Sequence, residues 1–217
     1  MAKTLKKGFF ITFDGPEGCG KSTQSRRIYE KLLSDGYSVV RTAEPGDTRL
    51  GKVIREALLK KHDIEIKPEA ELFLFEADRA QHVREVVKPA VDAGKIVICD
   101  RFNTATFAYQ GYGLGMDLGE IKKIDAFARG GVAPDLTIVL DVAADEGLKR
   151  AGRSREADKI EKRGFAFHDK VRNGYLALAA ADTERIKVVD ASRGLEEVYR
   201  SVEKEVYAFI ERHKGAK

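Results

Sequence analysis

The sequence has no long apolar run. Hydrophobic residues make up 43% of its 217 positions, yet none of the apolar stretches approaches the ~20 residues that a membrane-spanning helix requires. Lys3, Lys6 and Lys7 lie near the start, but no cleavable apolar segment with a small-residue site follows them. We therefore expect no membrane association and a cytoplasmic location.

Cysteine is scarce as well. Cys19 and Cys99 are the two cysteines of the chain, which excludes a disulfide framework and a cysteine-based metal site. We expect each to serve as a small apolar residue. A second hypothesis remains for Cys19, because a thiol near a helix N-terminus can have a lowered pKa and become reactive.

Neither sign of charge dominates. The chain has 39 basic and 35 acidic residues, a formal net charge of +4, and so mild an excess suits phosphorylated small molecules as well as nucleic acid. No internal repeat, linker or low-complexity stretch divides the sequence. Its length is typical of one domain, and we expect residues 1–217 to form a single one.

The glycine-rich stretch 15–22 is the strongest motif. It matches G-x-x-x-x-G-K-[ST] through Gly15, Pro16, Glu17, Gly18, Cys19, Gly20, Lys21 and Ser22. A β-rich apolar run precedes it and a helical apolar pattern follows, which is the context of a phosphate-binding loop. Lys21 would then reach the β- and γ-phosphates and Ser22 would hold Mg²⁺. The alternative is a glycine-rich turn that binds nothing.

Five segments have the composition of strands, and helical patterns separate them: 9–13, 37–42, 95–99, 136–142 and 186–189. This alternation predicts an α/β fold, a five-stranded parallel sheet flanked by helices on both faces. Helical apolar spacing also predicts which side chains face the core. These are Val53, Ala57 and Leu58 in the helix after residue 50, and Phe73, Ala77 and Ala80 in the helix after Pro68. In the last helix they are Val198, Val202, Val206 and Ile210. Arg55 points elsewhere.

Phe75 and Arg79 share another face of the helix that Pro68 begins, together with His82. An aromatic ring one turn from a guanidinium can stack on a flat base while the guanidinium bonds its edge. The alternative is a core Phe75 and a solvated Arg79. We expect His82 at the surface.

Asp100 and Arg101 end the third predicted strand. A carboxylate at the end of a buried strand beside a phosphate loop is typical of a Mg²⁺ contact, and a neighbouring arginine suits a phosphate clamp. The alternative is that the two residues pair only with each other or cap a helix. Further along, residues 110–115 are expected to form a flexible loop.

The segment 150–164 is short, charged and poor in large apolar residues. Because two bound nucleotides carry about six negative charges, a basic segment that closes over them would supply charge that Lys21 cannot. We therefore predict a mobile lid there. The alternative is a solvated surface loop.

Taken in order, these motifs resemble bacterial-type thymidylate kinases over nearly the whole chain. The matching segments are GPEGCGKST at 15–23, EPG at 44–46, the Phe75 and Arg79 pair, Asp100-Arg101, Tyr109-Gln110-Gly111, PDLTIVLDV from Pro134, the arginine-bearing lid, and Asp158 with Glu161. The resemblance implies a phosphate-loop nucleotide kinase fold with a short lid, acceptor-binding helices at about 68–113, and transfer of the ATP γ-phosphate to dTMP for dTTP supply. It also implies Mg²⁺ as cofactor, a homodimer and no nucleic-acid partner.

The same resemblance implies a role for each site residue. The donor would contact the loop through Thr23 and also Arg150, with Lys21, Arg101, Arg153 and Arg155 as the catalytic cations and Ser22 and Asp100 at the metal. The acceptor would contact Glu17, Glu44, Pro45, Arg55, Phe75, Arg79, Arg101, Thr106, Tyr109 and Gln110. Among these, Phe75 would stack on thymine, Arg79 would bond its O4 edge, and Tyr109 would crowd the sugar C2′.

The chain departs from the family at one loop. Family members commonly have Arg-Glu-Pro-Gly-Gly where this sequence has Ala43 first and Asp47 fifth, which leaves the geometry of that loop open. Two rival functions also stay open: a related kinase for another deoxynucleotide or nucleoside, and a non-catalytic nucleotide-binding switch. A GTP switch is disfavoured because Asn-Lys-x-Asp does not occur in the sequence.

Overall fold

One parallel sheet forms the centre of the molecule. The computed structural model describes residues 5–60, 64–152, 159–160 and 163–214. Its strands are β1 (Phe9–Asp14), β2 (Val39–Ala43), β3 (Ile96–Asp100), β4 (Leu136–Asp141) and β5 (Ile186–Asp190). They pair in parallel in the order β2-β3-β1-β4-β5, which confirms the predicted five-stranded sheet.

Helices connect the strands: α1 (Lys21–Ser34), α2 (Arg49–Leu59), α3 (Pro68–His82), α4 (Lys88–Asp92), α5 (Asn103–Thr106), α6 (Leu118–Arg129), α7 (Ala144–Gly152), α8 (Phe165–Ala181) and α9 (Leu195–His213). Two π-helical stretches, Val83–Val87 and Phe107–Gly113, follow α3 and α5. The expectation of a flexible loop at 110–115 is therefore wrong as far as Gly113. None of the helices in the described ranges is long and apolar enough to cross a membrane.

The core lies on both faces of the sheet. On one face, α1 and α9 pack against β1 and β4, and the four apolar positions predicted for the last helix are all buried: Val198, Val202, Val206 and Ile210. On the other face, Phe10 and Phe102 meet edge to face at 4.8 Å between ring centroids. Uninterrupted apolar strands such as β1 suit a sheet that is covered on both sides.

Two of the predicted helix faces are wrong in part. Val53 is 65% exposed and Phe73 58% exposed, and Ile54 and Leu72 are buried instead, whereas Leu58 is buried as predicted. The buried side of α3 is largely polar, because Glu76, Asp78, Arg79 and His82 all lie there. Apolar spacing could not identify a buried face whose groups are ionic and paired with each other.

The strand order reverses direction at β1. The chain adds β2 and β3 on one side of β1, and β4 and β5 on the other. In open α/β sheets the crevice at such a reversal, beyond the carboxyl ends of the strands, binds the ligand. The glycine-rich loop that follows β1 opens into this crevice.

Candidate active site

The glycine-rich motif folds as a loop between β1 and α1. Gly15, Gly18 and Gly20 have φ values of 136°, 65° and 95°, which residues with a Cβ rarely adopt. A Cβ on Gly18 would lie 1.9 Å from the Gly147 carbonyl oxygen, so the loop packs directly on α7. No described side chain caps α1, and no described atom lies within 4 Å of a Cβ built on Gly20. The helix N-terminus is thus open to an anion.

Lys21 lies over this loop. Its Nζ donates hydrogen bonds to the carbonyl oxygens of Gly15 at 2.9 Å and Pro16 at 2.8 Å, and the residue is buried. Phosphate oxygens bound in the loop would offer this ammonium charged acceptors, which form stronger hydrogen bonds than neutral carbonyls. The side chain is therefore held where a phosphate group would meet it.

Cys19 is buried within the same loop. Burial raises the pKa of its thiol, and the nearby Lys21 and Arg101 only partly offset that effect. Its burial and the direction of this pKa shift both argue against a reactive Cys19. Cys99 is buried as well, so both cysteines are small core residues, as the first interpretation expected.

Ser22 and Asp100 meet beside the loop. The Ser22 hydroxyl donates a hydrogen bond to Asp100 Oδ2, because β3 ends at Asp100 in register with Phe13 of β1. Mg²⁺ prefers oxygen ligands and takes only one or two from the protein when substrate phosphates supply others. The described residues hold no group of three or more carboxylate, histidine or cysteine side chains suited to a metal. The pair fits Mg²⁺ that is carried by phosphates.

Arg101 forms a triad with two other predicted site residues. Its Nη2 donates to Glu17 Oε1 at 2.6 Å, its Nη1 donates to the Tyr109 hydroxyl at 3.2 Å, and that hydroxyl donates to the same Glu17 oxygen at 2.7 Å. Burial alone would raise the pKa of Glu17, but Arg101 and then Lys21 lower it to about 2. The alternative that Asp100 and Arg101 pair only with each other is thus wrong.

Arg79 is the centre of a buried ionic network. It is 2% exposed and donates through Nε to Glu44 at 3.0 Å and through Nη1 to Glu76 at 2.5 Å and Thr106 at 2.9 Å. The alternative of a solvated Arg79 is wrong. His82 was expected at the surface, yet it is fully buried, with Nδ1 2.7 Å from Glu44 Oε1.

A cleft opens beside this network. All ten predicted acceptor residues line it: Glu17, Glu44, Pro45, Arg55, Phe75, Arg79, Arg101, Thr106, Tyr109 and Gln110. Gln110 is buried and donates through Nε2 to Glu71 at 2.9 Å. The cleft combines an aromatic ring, an arginine edge and an amide, which suits a planar base.

A second cleft surrounds the phosphate loop, and its lining includes Lys21, Ser22, Thr23 and Asp100. Five residues line both clefts: Glu17, Glu44, Pro45, Arg55 and Arg101. Arg55 is held there because its Nη1 donates to the Pro45 carbonyl at 2.7 Å. The prediction that Arg55 points away from the helix's inward face agrees with this placement.

Some lining residues were not predicted. Ile160 lies in the first cleft and Arg41 in the second. Arg41 lies on β2 two positions before Ala43, so the two side chains share a face of the sheet, and that periodicity was the available signal. The loop that departs from the family pattern is closed by a local contact. Asp47 Oδ2 accepts a hydrogen bond from the Ala43 N–H at 3.1 Å.

Arg150 belongs to α7 and also lines the second cleft. Its guanidinium donates to the carbonyl oxygens of Ala191 at 2.8 Å and Ser192 at 3.3 Å. Arg153, Arg155, Asp158 and Glu161 lie outside the described residues. The proposed lid roles of Arg153 and Arg155 therefore stay predictions.

Known proteins resemble this chain over most of its length. A family model described as thymidylate kinase matches residues 13–202. The chain belongs to the thymidylate kinase family. The thymidylate kinase of Roseiflexus sp. (strain RS-1) is 46% identical over 199 residues, 86% of this chain and 88% of that protein. That of Pseudomonas fluorescens (strain SBW25) is 44% identical over 208 residues, 96% and 99% of the two chains.

Solved structures give the same result. The crystal structure of thymidylate kinase from Ehrlichia chaffeensis matches with a TM-score of 0.76 and 33% identity, over 92% of this chain and 99% of that one. The resemblance and the phosphate-loop nucleotide kinase fold predicted from the sequence are confirmed. As a member of the thymidylate kinase family, the chain is a nucleoside monophosphate kinase that phosphorylates dTMP, with ATP as the phosphate donor.

Proposed function

We propose that the chain binds ATP and dTMP end to end and transfers the γ-phosphoryl group at the junction of the two clefts, giving ADP and dTDP. One observation carries this assignment: Glu17, Glu44, Pro45, Arg55 and Arg101 line both clefts. A phosphate group at that junction is within reach of the loop on one side and of the base pocket on the other.

The donor half uses the loop and α1. We assign the ATP phosphates to the backbone of 15–20 and to Lys21, with Thr23 in the following turn and Arg150 at the edge of the cleft. Ser22 and Asp100 would hold Mg²⁺, which when bound neutralises charge on the β- and γ-phosphates. Arg153 and Arg155 would add cations from the lid side.

The acceptor half reads a thymine base. Phe75 would stack on the ring, and Arg79 would donate to O4, since a guanidinium can only donate and thymine offers an acceptor there. Arg79 Nε and Nη1 are already occupied by Glu44, Glu76 and Thr106. The base would therefore meet Nη2. Gln110 would bond the same edge of the base, and Thr106 would fix Arg79.

Sugar and phosphate would occupy the junction. Glu17 would approach the 3′-hydroxyl, and Tyr109 would crowd C2′ and so favour deoxyribose. Arg55 and Arg101 would hold the acceptor phosphate, with Glu44 and Pro45 forming the wall behind it. Phosphoryl transfer requires little covalent chemistry from the protein, so alignment of the two phosphates and neutralisation of their charge account for catalysis.

A coupled ADP-release assay tests this function. The purified protein with ATP and Mg²⁺ should turn over dTMP faster than dUMP, dCMP or dGMP. Asp100→Asn, which keeps the shape but removes the charge, should lose most of that activity. Comparable turnover of another acceptor would favour the related-kinase alternative, and nucleotide binding without any ADP release would favour a switch.

We also propose a homodimer. Neighbouring helices α2, α3 and α6 each expose a large apolar side chain: Val53 at 65%, Phe73 at 58% and Phe127 at 86%. Exposed apolar surface shared by adjacent elements is typical of a protein–protein interface. A second copy of the chain is the partner that the family resemblance implies. A cytoplasmic location and the absence of a nucleic-acid partner stay predictions.

A further inference from the structure

Gln110 is bonded to a residue that the assigned roles leave unused. Its Nε2 donates a hydrogen bond to Glu71 Oε1 at 2.9 Å, and both residues are buried, at 1% and 4% exposure. Glu71 begins the buried side of α3, and Gln110 lies in the π-helical stretch Phe107–Gly113. This contact therefore joins the two elements that enclose the base pocket.

The contact determines which way the amide faces. A carboxylate can only accept hydrogen bonds, whereas an amide has a donating Nε2 and an accepting Oε1. Gln110 must therefore present Nε2 to Glu71, and Oε1 is turned to the other side. No residue in the described ranges donates to Oε1, and Gln110 lines the base cleft. The acceptor Oε1 is then the amide atom left for a ligand in this cleft.

Arg163 neutralises the buried Glu71. Its Nη2 donates to Glu71 Oε2 at 2.5 Å and its Nη1 to Oε1 at 3.2 Å, an arrangement with two parallel bonds. The guanidinium also lies 5.0 Å from the centre of the Phe167 ring, and Phe167 packs edge to face on Tyr109 at 6.1 Å. Two fixed bonds and this packing restrict how far the carboxylate can turn.

We propose that Glu71 is a positioning residue for base selection: it locks Gln110 with its carbonyl toward the cleft, where thymine N3–H can donate to it. Cytosine has a hydrogen-bond acceptor at N3, so the carbonyl oxygen of the locked amide would face another acceptor and no hydrogen bond could form. Rejection of this kind is strong because a buried polar group would be left without a partner. The inference rests on the proposed function, and adds a second source of discrimination against cytosine to the contact between Arg79 and O4.

Equilibrium binding without ATP gives the direct test. Affinities for dTMP, dUMP and dCMP would be measured by titration calorimetry for the wild type, Glu71→Gln, Glu71→Asp and Glu69→Gln. In Glu71→Gln the partner can donate as well as accept, so Gln110 can turn over and meet cytosine. We expect the preference for dTMP over dCMP to fall about ten-fold or more. The dTMP to dUMP ratio should stay constant, because both bases carry N3–H.

The comparison of variants separates positioning from packing. In Glu71→Asp the side chain is shorter but can still only accept hydrogen bonds, so the preference for dTMP over dCMP should stay within about three-fold of wild type. Glu71→Gln fits the wild-type shape better, yet it should lose that preference. A purely structural role predicts the reverse order. Glu69→Gln removes the same charge from an exposed position of the same helix and should change nothing.

A double mutant makes the route explicit. In a Gln110→Ala background, Glu71→Gln should no longer alter the ratio of dTMP to dCMP affinity, and a remaining change would overturn the proposal. If Glu71→Gln does not unfold cooperatively on heating, the ratio of dTMP to dCMP affinity is compared between Glu71→Asp and Gln110→Ala instead. A ratio in Glu71→Asp as low as that in Gln110→Ala would contradict the proposal. A wild type without preference for dTMP or dUMP over dCMP would instead contradict the proposed function.

Discussion

Arg101 Nη2 lies 2.6 Å from Glu17 Oε1 at the junction of the two clefts. Arg101 is also the non-glycine residue with a positive φ, 70°, in the described part of the chain, a backbone conformation that costs about 1–3 kcal/mol. The pKa of Glu17 is lowered to about 2, so the pair is ionic at neutral pH. An acceptor phosphate would therefore meet a guanidinium that is already oriented.

Arg101→Ala should lower turnover about 100-fold or more, because removal of one preorganised charge contact typically has that effect. ATP affinity should stay nearly unchanged, since we assign Arg101 to the acceptor phosphate. Steady-state kinetics with both substrates varied would measure this. Arg185→Ala removes an exposed arginine that pairs with Asp182 and is the matched control. Loss of ATP affinity with unchanged acceptor affinity would contradict the assignment.

Phe75→Ala should weaken dTMP binding by about 1–3 kcal/mol, the range for loss of an aromatic stacking platform. Affinity for ATP should not change, because Phe75 lines the first cleft and not the second, which surrounds the phosphate loop. Titration calorimetry with each nucleotide would measure both effects. Phe165→Ala truncates a phenyl ring that is 57% exposed and should leave both affinities as they are. An equal loss in the two variants would rule out stacking.

Local signals predicted the sheet and the phosphate loop well. Strands such as β1 are continuous apolar runs, and α9 has apolar residues at strict helical spacing, so each needed only its own segment to be recognised. The loop was equally local, because Lys21 donates to the carbonyl oxygens of Gly15 and Pro16 within the motif itself.

The polar interior was not predictable in the same way. His82 and Arg79 are buried because Glu44, which is distant in the sequence, supplies their partner. Val53 and Phe73 are exposed although their spacing suggested a core face. Long-range ionic pairs leave no periodic signal. The π-helical stretch Phe107–Gly113 contains Gly111, Tyr112 and Gly113, whose residue types had suggested a loop.

Glu76 should make the protein less stable as the pH rises. Burial, opposed by Arg79, raises the pKa of this carboxyl from 4.5 to about 7, and its Oε2 has no hydrogen-bond partner within the described residues. The native state thus keeps a proton that the unfolded state releases near pH 4.5. The stability from this group is complete below about pH 4.5 and is lost as the pH rises through about 7, by about 3 kcal/mol in total.

Urea unfolding at pH 5 and pH 8 would measure that effect. Glu76→Gln cannot titrate, so it should gain about 2–3 kcal/mol relative to wild type between pH 5 and pH 8. Asp14 and Asp78 have raised pKa values of about 7 and about 6, but they are present in both proteins and cancel in the difference. Glu69→Gln, on the exposed side of α3, should follow wild type. A pH-independent difference for Glu76→Gln would contradict the prediction.

Ser22→Ala should raise the Mg²⁺ concentration needed for half-maximal activity by about ten-fold or more, because even outer contacts of a metal site contribute that much to affinity. The hydroxyl that contacts Asp100 would be lost, while the loop backbone would still bind phosphate. A Mg²⁺ titration of ADP release would measure it. Ser34→Ala, at the far end of α1, is the control and should not change the Mg²⁺ requirement. An unchanged Mg²⁺ requirement in Ser22→Ala would contradict a role for Ser22 in binding the metal.

Phe127→Glu should convert a dimer into a monomer. The Phe127 side chain is 86% exposed on α6, and a charge in an apolar interface must be buried without a partner, which strongly disfavours association. Light scattering after gel filtration should give twice the 24.1 kDa chain mass for wild type and a single chain mass for the variant. Phe165→Glu places the same charge at an exposed phenyl of α8 and should remain dimeric. A wild type of single chain mass across a dilution series would contradict the homodimer, and a dimeric Phe127→Glu would place the interface elsewhere.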